Sequence, residues 1–253
     1  MLSALDANFL DASRIFVSYS KTGEYRERRD VAIVSCGLPV ESLNFGFLRP
    51  PHGDLAAAAA AVRSYFTDRG LPFQLTFRDE DGSRSIQDLE SAGWRRKPDP
   101  TPGMTLAMPA SPRPPPSGLA IQAVHTREQL VAFRETAFQG FGYPVGAAHI
   151  FLSDRVLELP QVRLYSGLVD GAVVATSMLI ATGSVAGIYW VATLEPQRGR
   201  GYGEALTWAA ALGGQQFGCG IASLQASKQG RPVYARMGFE RALDYESLLP
   251  PVA

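Results

Sequence analysis

Arg198-Gly199-Arg200-Gly201-Tyr202-Gly203 stands between a strand-like run at 187–193 and a helix-like run at 204–217. The first amides of a helix have no intrahelical acceptor and carry the positive end of its dipole. Glycines at that point let the backbone approach a ligand closely. The turn therefore attracts an anion, and pyrophosphate is the candidate. Neither a phosphate-loop lysine nor a dinucleotide glycine spacing accompanies it, which disfavours a general nucleotide-binding module.

Three runs precede the turn, at 162–169, 173–182 and 185–193. They are rich in branched and aromatic residues and are separated by Asp170-Gly171 and Gly183-Ser184, the pattern of an antiparallel meander. Further upstream come a strand at 119–123, a helix at 127–136, a broken loop at 139–146 and a short helix at 147–157. After the turn come a helix to about 217, a strand at 221–226, a helix at 231–237 and a strand at 242–248. Gly213-Gly214 weakens the long helix by about 1 kcal/mol per glycine relative to alanine.

Residues 109–118 hold five prolines in ten positions, an extended segment that joins neither helix nor sheet. The chain is accordingly read as 1–109, a linker at 110–117, and 118–253. The first part ends on the plan of the second: strand 42–48, turn, helix 55–69, strand 72–78, helix 85–91, strand 104–108. Gly93-Trp94 matches Gly238-Phe239, which makes Leu89 the counterpart of Tyr234. The first-half turn, Arg49-Pro50-Pro51-His52-Gly53-Asp54, has one glycine, prolines that remove amide donors, and an added negative charge. Only the second half keeps an anion-binding turn.

Lysine plus arginine (24) balances aspartate plus glutamate (24), so no net charge draws the chain to nucleic acid or an anionic membrane. The basic cluster at Arg26, Arg28 and Arg29 reads as a solvated turn. With 46% hydrophobic and 19% charged residues the chain can bury two cores. Cys36 and Cys219 show neither disulfide nor metal spacing, so no metal is expected. No apolar run reaches bilayer length and no signal-like N-terminus is present, so the expected location is the cytoplasm.

The glycine turn, the strand Leu224-Gln225-Ala226-Ser227 and the helix Pro232-Val233-Tyr234-Ala235-Arg236-Met237-Gly238-Phe239 together resemble the acyl-CoA-binding half of the GNAT acetyltransferase superfamily. That superfamily's arginine–glycine–glycine signature falls on Arg198, Gly201 and Gly203. The resemblance covers most of 118–249, and the first half resembles the degenerate repeat of tandem members. It implies an α/β (α+β) fold of two GNAT-like halves, with a central, mostly antiparallel sheet, a splayed strand and flanking helices.

The resemblance also implies acetyl-CoA as donor. Its pyrophosphate would lie on the amides of Arg198, Gly199, Arg200, Gly201, Tyr202, Gly203 and Glu204. Its pantetheine arm would run along the backbone of Val191, Ala192 and Thr193. Ser227 stands where many members carry an asparagine that touches that arm. Tyr234 occupies the general-acid position, although an aromatic on an amphipathic helix can equally be packing.

Arg198 and Arg200 add charge at the rim or are simply solvated. The aromatics Phe138, Phe141 and Tyr143 line a substrate loop or pack among themselves, and Tyr189 and Trp190 point to opposite faces of a regular strand. The strand at 187–193 has no carboxylate to act as base. Glu195 lies too near the turn, and His125 and His149 are lone histidines. The implied activity is transfer of an acetyl group to the primary amine of a small molecule, by a monomer or homodimer. A non-catalytic acyl-CoA sensor or scaffold is the alternative.

Overall fold

Asp170-Gly171 and Gly183-Ser184 close the two hairpins that their turn chemistry predicts, with Asp170 at φ 49° and Gly171 and Gly183 at 80° and 57°. The computed structural model describes residues 2–49, 54–78, 84–108, 112 and 114–251. Pro50 to Gly53 of the first-half turn, His52 among them, and residues 109–111 and 113 of the proline-rich segment lie outside the described residues.

The first part of the chain forms α1 (Leu2–Ser18), β1 (Glu24–Glu27), β2 (Val31–Ser35), β3 (Asn44–Leu48), α2 (Leu55–Thr67), β4 (Gln74–Arg78), α3 (Arg84–Ser91), β5 (Arg95–Arg96) and β6 (Thr101–Ala107). The second part forms β7 (Ala120–Ala123), α4 (Arg127–Phe141), β8 (Val162–Val169), β9 (Ala172–Thr182), β10 (Val185–Thr193), α5 (Tyr202–Gln216), β11 (Ile221–Gln225), α6 (Arg231–Arg236) and β12 (Glu240–Leu249). Among the described residues the strands make one mixed sheet, ordered β1-β2-β3-β4-β12-β6-β11-β10-β9-β8-β7, with β5 paired to β12.

The order carries an exchange. β6, the last strand before the linker, pairs with β11 of the second half, while β12, the last strand of the chain, pairs with β4 of the first. The two exchanged strands also pair with each other, antiparallel from Glu240–Thr105 to Tyr245–Thr101. The halves thus share one continuous hydrogen-bonded sheet.

Helices cover both faces, giving the α/β layering expected. α1 and α4 pack on one side with Met178, Ile180 and Tyr189. On the other side α2 and α3 cover Val31, Ile33, Leu75 and Phe77, and α5 and α6 cover Ala186, Ile188 and Leu224. The glycines that weaken α5 have a packing reason. A Cβ on Gly214 would lie 2.3 Å from the Cβ of Ala186, and one on Gly213 2.2 Å from the hydroxyl of Tyr165. Gly214→Ala gains about 1 kcal/mol of helix propensity, but overpacking of this kind costs about 1–3 kcal/mol. The expected result is a net loss, read as a melting temperature several degrees below the parent.

Several elements differ from the sequence reading. α1, β1 and β2 form where no element was assigned, and Arg26 lies on an exposed edge strand, not a turn. α4 runs on to Phe141 before Gly142 caps it at φ 73°, so the loop begins later than expected. The short helix expected at 147–157 is two 3-10 turns, Val145–Ile150 and Asp154–Glu158.

Candidate active site

Gly201 is the N-cap of α5, at φ 80° and ψ 5°, and no side chain caps the helix. Gly199 is also left-handed, at φ 78°. The amides of Gly199, Arg200, Gly201, Tyr202 and Gly203 have no acceptor among the described residues, since the first bonded amide of the segment is that of Ala205, to Gly201. A Cβ built on Gly199 meets nothing within 4 Å, so the turn opens outward. The corresponding helix of the first half is closed: the Asp54 side chain accepts from the amide of Ala57 at 2.9 Å. One helix start satisfies itself with a carboxylate, and the other presents unpaired donors to solvent.

Beside the turn the sheet opens. β10 pairs with β11 only at Val185–Ile221, Ala186–Ala222 and Gly187–Ser223, although β10 continues to Thr193. β10 bulges between Tyr189 and Ala192, with Trp190 at φ 51°, a left-handed backbone rare for a bulky residue. In the first half β3 stays paired to β4 through its last residue, Leu48. The divergence belongs to the second half alone.

Leu194 donates to Val174 of β9, so by strand alternation the peptide groups of Thr193 face the opened side. There Arg198 Nε donates to the Thr193 carbonyl at 3.2 Å and its Nη2 donates to the Gly140 carbonyl at 2.9 Å. Arg198 is thereby a brace between α4, β10 and the turn, while Arg200 is exposed. Val191 and Thr193 are half-buried and Ala192 is buried. The Cβ position of Gly203 is 3.6 Å from Thr193 Oγ1, which places the turn directly against this strand. Tyr202 is buried, and Glu204 sits half-buried in the first turn of α5.

Tyr234, only 8% exposed, is linked to the same helix start through Thr207. Thr207 Oγ1 donates to the Gly203 carbonyl at 2.7 Å. Burial pushes the Tyr234 phenol up to about 12, against the lowering effect of a hydrogen bond with Thr207. The phenol is a weaker acid than its ordinary value of about 10 suggests. Ser227 Oγ accepts from the Gly230 amide at 3.0 Å, so this hydroxyl helps start α6 and keeps its own proton to donate.

The helix end of the first half repeats that of the second bond for bond. Trp94 N donates to Leu89 O at 3.0 Å and Phe239 N donates to Tyr234 O at 3.0 Å. Gly93 and Gly238 hold φ 89° and 93°. Leu89, the counterpart of Tyr234, is buried.

On the α1 side of the divergence lies a cavity of about 290 Å³. Trp190, Phe141 and Tyr143 wall it, and Phe9 and Phe16 of α1 roof it. The Trp190 ring stacks on Phe138 at 5.9 Å and 6° and meets Phe141 edge-on at 5.4 Å. The aromatic loop is therefore both packed against itself and a lining of the cavity. Its floor is a row of uncharged polar residues, Gln74, Thr76, Ser247, Thr101 and Gln225. Strand register sets that row: Thr76 opposes Ser247, Thr101 opposes Tyr245, and Gln225 opposes Gly103, two residues from Thr101.

The first half closes the cavity. Asn8, 1% exposed, accepts from the Tyr189 hydroxyl at 2.6 Å and donates to the Ile180 carbonyl at 3.0 Å. Ser42 and Tyr143 share a hydrogen bond at 2.9 Å across the mouth. No Asp, Glu or His lines the cavity among the described residues. Glu195, His125 and His149 are exposed elsewhere. The α1 and first-half contributors were not anticipated from sequence. The signal that could have found them is the aromatic and polar pattern of Phe9, Ser13 and Phe16 along one helix.

Residues 126–239 match the model of the acetyltransferase (GNAT) family. That match lies within the second half of the chain. The whole chain is similar in fold to a GCN5-related N-acetyltransferase from Kribbella flavida, at a TM-score of 0.67 and 18% identity over 99% of this chain and 96% of that one. A GCN5-related N-acetyltransferase from Sphaerobacter thermophilus gives a TM-score of 0.64 and 18% identity, covering 88% and 82%. A tandem GNAT protein from the clavulanic acid biosynthesis pathway gives 0.55 and 15%, covering 98% and 95%. No functionally curated relative matches by sequence. Among the described residues there is neither a cluster of metal-binding side chains nor a helix long and apolar enough to cross a membrane.

Proposed function

We propose that the chain transfers an acetyl group from acetyl-CoA to the primary amine of a small molecule in the cytoplasm, as a monomer or homodimer. The observation that carries this reading is the conjunction of unpaired amides at 199–203 with the divergence of β10 from β11 and with Tyr234 on the far side. Residues 118–253 form the catalytic repeat in this reading. Residues 1–109 are its degenerate counterpart, and 110–117 link them.

Acetyl-CoA, when bound, supplies the acyl group as a thioester already activated for transfer. The amides of Gly199, Arg200, Gly201, Tyr202, Gly203 and Glu204 hold its pyrophosphate with the α5 dipole behind them, whereas the Arg198 amide, expected there from sequence, already donates to the Glu195 carbonyl at 3.2 Å. The backbone of Val191, Ala192 and Thr193 aligns the arm by main-chain pairing, and the Ser227 hydroxyl donates to it. An amide of β10 at Val191 or Thr193 donates to the thioester carbonyl as charge develops there. Tyr234 gives its proton to the departing sulfur. Overall a carbon–nitrogen bond forms, the carbon–sulfur bond breaks, the amine nitrogen loses one proton to water, and water returns one proton to the Tyr234 oxygen.

No carboxylate or imidazole lines the cavity to take that last proton, so the amine reacts after entering uncharged. Free-thiol release from acetyl-CoA in the presence of a panel of primary amines tests the activity. Turnover with at least one amine is expected. Tight CoA binding with no turnover across the panel would instead favour the sensor or scaffold reading.

A further inference from the structure

The cavity beside the divergent strands is neutral on every side, which is unusual for a site that takes an amine. Amino-acid recognition needs a cation for the carboxylate, and recognition of a diamine needs an anion for the second ammonium. Neither is among the lining residues. The charges touching its polar edge are already committed: Lys97 Nζ bonds Glu41 at 2.8 Å and Gln74 at 3.0 Å, and Arg78 pairs with Asp6 at 3.3 Å.

The polar floor is likewise mostly spent. Thr76 pairs with Ser247 at 3.4 Å and receives Gln74 Nε2 at 3.2 Å. Ser13 donates to the Phe9 carbonyl at 2.7 Å, and Tyr245 donates to Asp6 at 3.1 Å. Gln225, Thr101 and the indole N–H of Trp190 are the lining polar side-chain groups that make no side-chain hydrogen bond among the described residues, and of these Gln225 and Thr101 alone offer an acceptor oxygen. Gln225 is the last residue of β11, two beyond the final β10–β11 pair at Ser223, so it stands at the opening of the divergence.

We propose that this cavity binds a primary monoamine carried on one aromatic ring by a short uncharged arm, with Gln225 as the positioning residue for the nitrogen. The inference rests on the acetyl-transfer reading only for what happens after binding. Size agrees: a cavity of about 150 Å³ accepts a benzene ring, and this one, at about 290 Å³, leaves room for an arm and an amino group. The faces of Trp190, Phe141 and Tyr143 receive the ring by offset or edge contact. The Gln225 side-chain carbonyl accepts from the neutral amine, and Thr101 supports it from the neighbouring strand. Phe9 and Phe16 seal the ring end, so the first half serves as a wall of the acceptor site.

The test is calorimetry on the CoA-saturated full chain with 2-phenylethylamine, phenylalanine and putrescine, at about pH 9 so that a share of each amine is neutral. Because an unpaired charge is penalised on burial, 2-phenylethylamine is expected to bind about 100-fold more tightly than either competitor. Gln225→Glu supplies the missing anion and is expected to shift the ratio toward putrescine by about tenfold or more. Equal or tighter binding of phenylalanine or putrescine, absence of 2-phenylethylamine binding, or an unmoved ratio in Gln225→Glu would overturn the assignment. The expected preference without thiol release would keep the cavity assignment and sink acetyl transfer.

Discussion

Replacing Tyr234 by phenylalanine is expected to lower kcat for acetyl transfer by about 100-fold or more, the ordinary scale of losing a positioned general acid. The affinity for CoA should change little, because the proposed pyrophosphate contacts belong to a different element, the start of α5. Phenylalanine keeps the packing against Phe239, whose ring lies 5.9 Å away, so the fold is retained. A packing role alone would leave turnover within a fewfold of the parent.

The same residue sets a pH expectation. An acid works while protonated, so rate is lost only as pH rises through its pKa. An ordinary phenol would cost activity from about pH 10. Burial has pushed Tyr234 up to about 12, so the rate should hold through pH 10 on the alkaline side. A decline centred near pH 9 would show that a different group donates the proton.

Gly201→Val is expected to weaken CoA binding by about 100-fold. Gly201 caps α5 in the left-handed region, where a side chain costs about 1–2 kcal/mol and a β-branched one is a still rarer occupant. The turn relieves that strain by rotating its peptide groups, which turns amides away from the phosphate. A hydrogen bond to a charged group is worth about 1.5–3 kcal/mol, so losing two accounts for the effect. Gly201 is exposed and its Cβ position meets only Pro116 Cγ, at 3.3 Å, so the loss of melting temperature should be confined to the few degrees that the backbone strain costs. Unchanged affinity, measured by titration with CoA, would remove the turn from the binding site.

What was legible in the sequence follows from how local each signal is. The meander, α5 and its glycine start depend on turn chemistry and on period within short windows, and they formed with small shifts at their ends. The equivalence of Gly93-Trp94 and Gly238-Phe239 was legible because a left-handed residue after a helix leaves a glycine behind. α1 was harder to read, since its buried face includes Asp6, Asn8 and Ser13. Those polar residues dilute the apolar period and are buried because Tyr245, Tyr189 and the Phe9 carbonyl satisfy them.

The strand exchange had no local signature. A short run such as β6, buried through Pro102, Gly103 and Met104 in succession, carries no mark of which strand it pairs with. The cavity beside the divergent strands depends on that exchange, because Thr101 and Tyr245 come from the exchanged strands. The missing carboxylate at 187–193 was legible from the start. Its consequence emerged only when the lining was seen to be neutral throughout.

In the proposed function one helix start of this chain, and not its first-half counterpart, grips one acyl-CoA. Calorimetric titration of the full chain with CoA, alongside ATP, measures it directly. One CoA bound per chain is expected, with ATP weaker by about 100-fold or more. Two CoA molecules per chain, or ATP binding as tightly as CoA, would contradict it.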